Sequence, residues 1–218
     1  MQIDFISDTV CPWCFIGKRR LAKAMALRPE IAFDVRYRPY QLDPNIPPGG
    51  VDRAHYMTAR FGADAKLNEA YAAIAAEGVK EGIDFDWAAI TKRPNTVNSH
   101  RLIRWAEDQS VQDEVVERLF VAYFENGEDI GDIRVLADIA DLCGMDGAQI
   151  ADLLESDTDV ATVERDDRLA HEMGVTGVPA MIFGGKIAVS GAREPEFLAM
   201  AIDRAAGMSA EASSGSGE

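Results

Sequence analysis

Cys11 and Cys14 stand three residues apart in the stretch Asp8-Thr9-Val10-Cys11-Pro12-Trp13-Cys14. Two thiols at that spacing suit three chemistries: ligation of a metal, a structural disulfide, or exchange with the disulfide of a substrate. A structural zinc site takes four ligands, normally completed by a second such cysteine pair or by two closely spaced histidines. The remaining candidates are Cys143, His55, His100 and His171, and none is paired at that spacing. No metal is therefore expected. A chain of 218 residues with 47% hydrophobic residues can bury a full core without a covalent staple. Disulfide exchange is the best supported of the three.

Exchange needs a sulfur that ionises readily, and the flanking sequence supplies a setting for one. Ile3, Phe5 and Ile6 form a short apolar run that reads as a strand ending near Ser7, followed by a brief turn over 8–10. Helical spacing then runs from Pro12 to about Leu27, with Pro12 at the first helical position, where a missing N–H costs nothing. Cys11 thus falls just before a helix, whose unpaired N–H groups and positive dipole end favour a thiolate. Cys14 lies one turn further in, on the same face and within bridging range. Cys11 is accordingly expected to attack and Cys14 to resolve the mixed disulfide. Between them, Pro12 stiffens the turn, and Trp13 either offers an apolar docking surface for an unfolded peptide or packs against the rest of the fold. Asp8 is expected to cap the helix with its carboxylate, and residues 18–20 to form a solvated basic face.

The elements that must position this pair are arranged simply. Ile31, Phe33, Val35 and Tyr37 alternate over 31–37, which predicts a second strand and a right-handed parallel strand–helix–strand unit. A Pro/Gly-rich break covers 42–50. Beyond it, 51–173 shows no strand pair, only helical patterns at 52–61, 63–77, 97–109, 111–125, 133–142, 147–155 and 158–173. Ser110 with Asp113 and Asp146 with Gln149 resemble capping boxes, and Cys143-Gly144 marks a helix end. Residues 178–183 and 186–191 then read as a hairpin with the two-residue loop Gly184-Gly185, before a last helix at 195–206. Residues 208–218 are small and polar and are expected to be disordered. Pro179 opens a strand, a permitted place, and an isolated X-Pro bond is cis in only about 5–6% of cases.

These elements predict an α/β fold, a thioredoxin-like four-stranded sheet (βαβ…ββα) with a large all-helical insertion. Residues 1–43 and 174–207 would form the sheet domain. Residues 44–173 would form the insertion, its last helix (158–173) packing on the sheet. The cysteines then sit at the carboxyl ends of the strands, where open α/β sheets bind ligands.

Thirty-seven acidic against twenty-two basic residues give a formal charge of −15, which disfavours nucleic acid and anionic membranes as partners. The first ten residues carry neither a basic nor an apolar leader segment, so a cytoplasmic location is expected. In a reducing cytosol a cysteine pair of this spacing is more often catalytic than structural.

Cys-Pro-Trp-Cys after a first strand and Thr176-Gly177-Val178-Pro179 before a third resemble the DsbA-like thioredoxin-fold oxidoreductases. Together with Pro94-Asn95-Thr96-Val97-Asn98-Ser99-His100 and Val189-Ser190-Gly191-Ala192, the chain over about residues 2–206 looks like their FrnE-type branch. That branch is grouped with 2-hydroxychromene-2-carboxylate isomerases and kappa-class glutathione transferases. The resemblance implies catalysis by Cys11 and Cys14, with Pro179 as a cis-proline stacked on the dithiol. Val178 would pair with an extended substrate. It places Asn95, Asn98 and His100 where the insertion faces the cysteines, with His100 either accepting a proton or packing structurally. The implied activity is thiol–disulfide oxidoreduction or isomerisation on protein, peptide or small-molecule disulfides. No cofactor is implied beyond glutathione as redox partner or co-substrate, and recycling would fall to glutathione or a thioredoxin-type system. Assembly as a homodimer is left open. The alternatives are a glutathione-dependent isomerase or transferase, whose members typically carry serine in place of Cys11, and a non-catalytic holdase acting through the surface around Trp13.

Overall fold

The computed structural model describes residues 1–62 and 65–207, with the backbone alone at 61 and 65–67. The tail at 208–218 and the expected helix start at 63–64 lie outside the described residues. Strand β1 (Gln2–Ser7) leads through helix α1 (Pro12–Ala26) to β2 (Asp34–Pro39), which pairs in parallel with β1, Ile3 facing Val35 and Phe5 facing Tyr37. Ile3 and Phe5 are fully buried, so the alternation in β1 places its larger apolar residues in the core. The second strand begins three residues later than its alternation predicts. Ile31 and Phe33 pack on the core as half-buried residues ahead of the strand, and only Val35 and Tyr37 enter the ladder.

Strands β3 (Val51–Asp52) and β4 (Lys92–Arg93) form a two-residue antiparallel ladder within the region expected to be helical throughout. Two residues are too few to show alternation, so nothing in the pattern betrays them. Between them run α2 (Arg53–Phe61) and α3 (Ala65–Lys80). Then follow α4 (Val97–Asp108), α5 (Gln112–Phe124), α6 (Ile133–Leu142), α7 (Gly147–Glu155) and α8 (Val160–Glu172). Asp146 accepts from the Gln149 N–H at 3.0 Å and caps α7. Ser110 does not cap α5: it is held at φ 60° by the closing turn of α4, and Val111 takes the N-cap position without a side-chain bond. Gly144 follows the Cys143 cap of α6 at φ 79°, a conformation glycine adopts without strain.

The hairpin β5 (Ala180–Phe183) and β6 (Ile187–Ser190) completes a mixed sheet in the order β2-β1-β5-β6, and α9 (Pro195–Ala206) lies on both strands. Its loop holds three residues, not two. Gly184 and Gly185 form a tight turn at positive φ, but Phe183 pairs with Ile187 and Lys186 is left as an extra residue. Helix α1 packs on α9, while α4, α5 and α8 reach β2. Ala170 of α8 joins Ile6, Tyr40 and Ala180 in a small cluster against the sheet.

Within the basic run on α1 only Arg19 is partly exposed. Lys18 and Arg20 are only 7% and 3% exposed. Lys18 meets Asp113 and Glu117 of α5, while Arg20 meets Glu77, Glu81 and Glu194. Charged side chains appear on this face because acidic partners arrive from distant helices, which sequence spacing cannot show.

Candidate active site

Strand β1 stops at Ser7, and the Cys11 N–H donates to the Asp8 carbonyl at 3.0 Å to close the turn. Cys11 is then the N-cap of α1, its carbonyl accepting from the N–H groups of Cys14 and Phe15. No side chain caps this helix end. The positive end of the helix dipole therefore lies at Cys11. Both sulfurs are free thiols, Cys11 at 4% exposure and Cys14 fully buried. Burial pushes the Cys14 thiol well up from its ordinary value. Its hydrogen bond to Cys11 and the charge there act the same way, opposed by the Asp8 amide N–H. Cys14 is thus held as the protonated thiol.

The second wall comes from the loop before β5. The Val178–Pro179 peptide bond is cis, and the Cys11 thiol donates to the Val178 carbonyl at 3.7 Å. From below, Gly17 of α1 leaves room for the proline: a Cβ there would lie 2.9 Å from Pro179 Cγ. Cys11, Cys14, Val178 and Pro179 therefore form one cluster, although 167 residues separate Cys11 from Val178.

Asp8 does not cap the helix with its carboxylate. That group is buried, accepts from the Leu42 N–H at 2.8 Å, and has its Oδ1 3.6 Å from His100 Nε2. The cap position is already filled by Cys11, so the carboxylate turns toward α4. At 3.6 Å the two atoms lie beyond ordinary hydrogen-bond distance, and neither has another partner. Burial pushes the Asp8 carboxyl up, but His100, the charge of Arg93 and the Leu42 N–H outweigh it and hold it below its usual value. His100 therefore meets Asp8, a residue of the dithiol loop, from a buried position on α4. The loop is further strapped by Thr9 to Ser99 at 2.8 Å and by Arg93 Nη1 donating to the Val10 carbonyl at 3.3 Å. Asn95 and Asn98 are engaged elsewhere. Asn95 donates to the Ile46 carbonyl and accepts from the Val97 N–H, and Asn98 accepts from Arg101.

Trp13 is 37% exposed and, with Pro12 and Val10, forms one wall of a cavity of about 410 Å³. The opposite walls are Tyr56, Tyr71, Trp87 and Tyr123, with Arg53, Arg60 and Arg93 among them. Sequence reading missed these residues. They come from α2, α3, β4, α5 and the loop before β4, and the only local hint is Arg93 directly before the Pro94–His100 motif.

A parallel βαβ unit joined to an antiparallel hairpin, with two cysteines opposite a cis-proline, defines a thioredoxin-fold protein. The chain belongs to the DSBA-like thioredoxin domain family, whose model matches residues 2–203. It is 27% identical over 190 residues to the uncharacterized protein YwbO of Bacillus subtilis (strain 168), covering 86% of this chain and 88% of that one. Its structure is similar to that of a probable DsbA oxidoreductase from Streptomyces coelicolor, with TM-score 0.87, 26% identity, and 95% and 90% of the two chains covered. A 2-hydroxychromene-2-carboxylate isomerase also shares the fold at TM-score 0.71 and 20% identity, with 94% of this chain and 95% of that chain covered. Among the described residues no helix is long and apolar enough to cross a membrane.

Proposed function

We propose that the protein is a thiol–disulfide oxidoreductase of FrnE type, working in the cytoplasm on protein, peptide or small-molecule disulfides through Cys11 and Cys14. The observation that carries this reading is the placement of Cys11 at the start of α1, against the Val178 carbonyl, with Cys14 buried one turn behind it. The positive end of the α1 dipole lies at Cys11, and the thiolate is the reactive form of the residue. That thiolate attacks one sulfur of the substrate disulfide, forming a mixed disulfide and expelling the other substrate sulfur as a thiolate, which takes a proton from solvent. Cys14 then loses its proton and attacks the Cys11 sulfur, releasing the second substrate thiol. The substrate has gained two electrons and two protons, and the protein carries a Cys11–Cys14 disulfide.

An extended substrate segment can lie along the loop before β5, where Val178 and Pro179 face the dithiol and Trp13 flanks it. Glutathione or a thioredoxin-type dithiol would return the protein to its reduced form. A reducing cytosol favours this reductive direction, although dithiol proteins of this kind span from about −270 mV to about −120 mV.

Insulin reduction in glutathione buffers, with acid quenching and thiol trapping, tests the mechanism. Cys11→Ser should lose the activity, and Cys14→Ser should accumulate a mixed disulfide on Cys11. Wild-type rates in both variants would overturn it. A glutathione-dependent isomerase predicts the opposite pattern: Cys11→Ser would keep turnover of a hydroxychromene carboxylate, and insulin would not be reduced by the wild type.

A further inference from the structure

Cys14 must shed a proton before it can attack the Cys11 sulfur, yet it is fully buried. In the mixed disulfide the substrate covers the Cys11 side of the pair and displaces water there. The group at hand on the other side is Asp8. Its amide N–H donates to the Cys14 sulfur, and its carboxylate charge acts on the same sulfur.

That carboxylate turns Oδ1 toward His100 Nε2 at 3.6 Å, and both atoms are buried without a partner. Burying two polar atoms in this state is costly, and a proton passing between them serves each in turn. Among the described residues Arg93, Tyr40 and Tyr123 also face Asp8, and none is a base. Arg93 is a donor only. Burial pushes the phenols of Tyr40 and Tyr123 up, Tyr123 to about 12, so both stay protonated. Burial also pushes the Asp8 carboxyl up, and His100 is the largest influence holding it down. With the imidazole uncharged that restraint is relaxed, and the carboxylate becomes a better proton acceptor.

The imidazole in turn leads to solvent. His100 lines a cavity of about 10 Å³ between β2, α4 and α8, together with Ser7, Tyr37 and Val163. That volume is close to the room one water needs, about 10–15 Å³. The ion pairs Arg38–Glu107 and Arg104–Asp166 share the lining on partly exposed side chains, so the cavity meets solvent. Neither α1 nor the loop before β5 contributes to it, which places its opening away from the face where substrate docks.

We propose that Asp8 and His100 carry the Cys14 proton out through the body of the protein, from sulfur to carboxylate to imidazole, and from there to solvent at the cavity behind β2. The Cys14 S–H bond breaks, and its electron pair forms the bond to the Cys11 sulfur. The second substrate sulfur leaves with the pair of the broken mixed disulfide and takes a proton from solvent. The route rests on the dithiol reading, because it serves the second of its two steps. Imidazole suits the relay, since it takes and releases a proton near neutral pH.

The two steps separate when the reduced full chain reacts with oxidised glutathione and is acid-quenched for mass spectrometry. Attack by Cys11 adds one glutathione, and resolution by Cys14 removes it and leaves the intramolecular disulfide. Asp8→Asn and His100→Gln should gain the adduct within about twofold of the wild-type rate and lose it about tenfold more slowly or worse, a modest share of what positioned proton transfer supplies. The double variant should resolve no more slowly than Asp8→Asn, because both residues lie on one route. Val163→Ile, which narrows the cavity without touching the pair, should also slow resolution alone. Equal slowing of both steps would mark the pair as structural, and that result, or resolution at the wild-type rate in folded Asp8→Asn, His100→Gln or Val163→Ile, would overturn the proposal. If Cys14→Ser retains no glutathione on Cys11, it is the dithiol reading that fails.

Discussion

Gly17 and Pro179 meet across the site at a distance that leaves no room for a methyl group, since a Cβ on Gly17 would lie 2.9 Å from Pro179 Cγ and 3.5 Å from Met181 Cε. Glycine inside a helix is a cost, so Gly17→Ala would stabilise an ordinary exposed turn by about 1 kcal/mol. Here the ring of Pro179 must move instead, at an overpacking cost of about 1–3 kcal/mol, and the Val178 carbonyl beside Cys11 moves with it. Gly17→Ala should therefore lower the urea midpoint and slow insulin reduction together. A variant more stable than wild type with full activity would show that the contact between α1 and the loop before β5 is loose.

The three cysteines should differ sharply in reactivity. Burial pushes the thiols of both Cys14 and Cys143 up from their ordinary value. Cys11 stands at a helix start with no side-chain cap competing for its N–H groups. Limiting iodoacetamide at neutral pH should give one adduct in the native protein, and digestion followed by mass spectrometry should place it on Cys11. Cys14 and Cys143, with their thiols held protonated, should label far more slowly until denaturant is added. Equal labelling of Cys11 and Cys14 in the native state would contradict the attacking and resolving roles.

What the sequence disclosed about this site was its local part. Cys11, Cys14 and Pro12 could be placed because strand, turn and helix follow one another within some fifteen residues, and each leaves its own period or punctuation. Pro179 was legible as a strand opening, but its cis bond and its place opposite Cys11 came only through the family resemblance. Asp8 was misread, because the cap it was expected to supply is the backbone of Cys11 itself. The charged face of α1 and the arginine-lined cavity were invisible for a common reason. Arg20 is buried by acids from α3 and the β6–α9 loop, and Arg93 is brought to Val10 by a two-residue ladder. Pairings of that range leave no trace in spacing along the chain.

Arg20 should be a point of structural weakness. Its guanidinium is 3% exposed, meets Glu77, Glu81 and Glu194, and also donates to the Ala192 carbonyl at 2.6 Å. It ties α1 to α3 and to the loop after β6. Arg20→Met would leave Glu81, itself 4% exposed, with Lys23 as its remaining ion-pair partner. Removing one member of a buried charge pair costs about 3–5 kcal/mol, and urea unfolding should show a loss near the lower end because Lys23 stays. Arg20→Lys should recover only part of it, since an ammonium lacks the planar fork that serves several acceptors at once. A loss below about 0.5 kcal/mol in Arg20→Met would mean that the cluster is solvated in solution.

The Asp8–His100 pair gives a pH-dependent signature. The folded-state value of the Asp8 carboxyl lies below its usual range, while the unfolded value is about 3.9. A carboxyl lowered in this way contributes stability that is fully present above the unfolded value and is lost as pH falls through the folded one. Wild-type stability should therefore carry a component that fades below about pH 4, and Asp8→Asn, which keeps an oxygen for the Leu42 N–H, should lack it. Urea midpoints of the two proteins should then converge as the solution is acidified. At neutral pH, His100→Leu removes the partner 3.6 Å away and leaves the buried carboxylate with the Leu42 N–H and the charge of Arg93. The expected cost is about 1–3 kcal/mol, that of leaving a buried polar group without its partner. The double variant Asp8→Asn/His100→Leu should cost less than the sum of the two single changes, because the second substitution has no stranded charge to expose. Strict additivity of the two would show that Asp8 and His100 contribute independently to the dithiol loop.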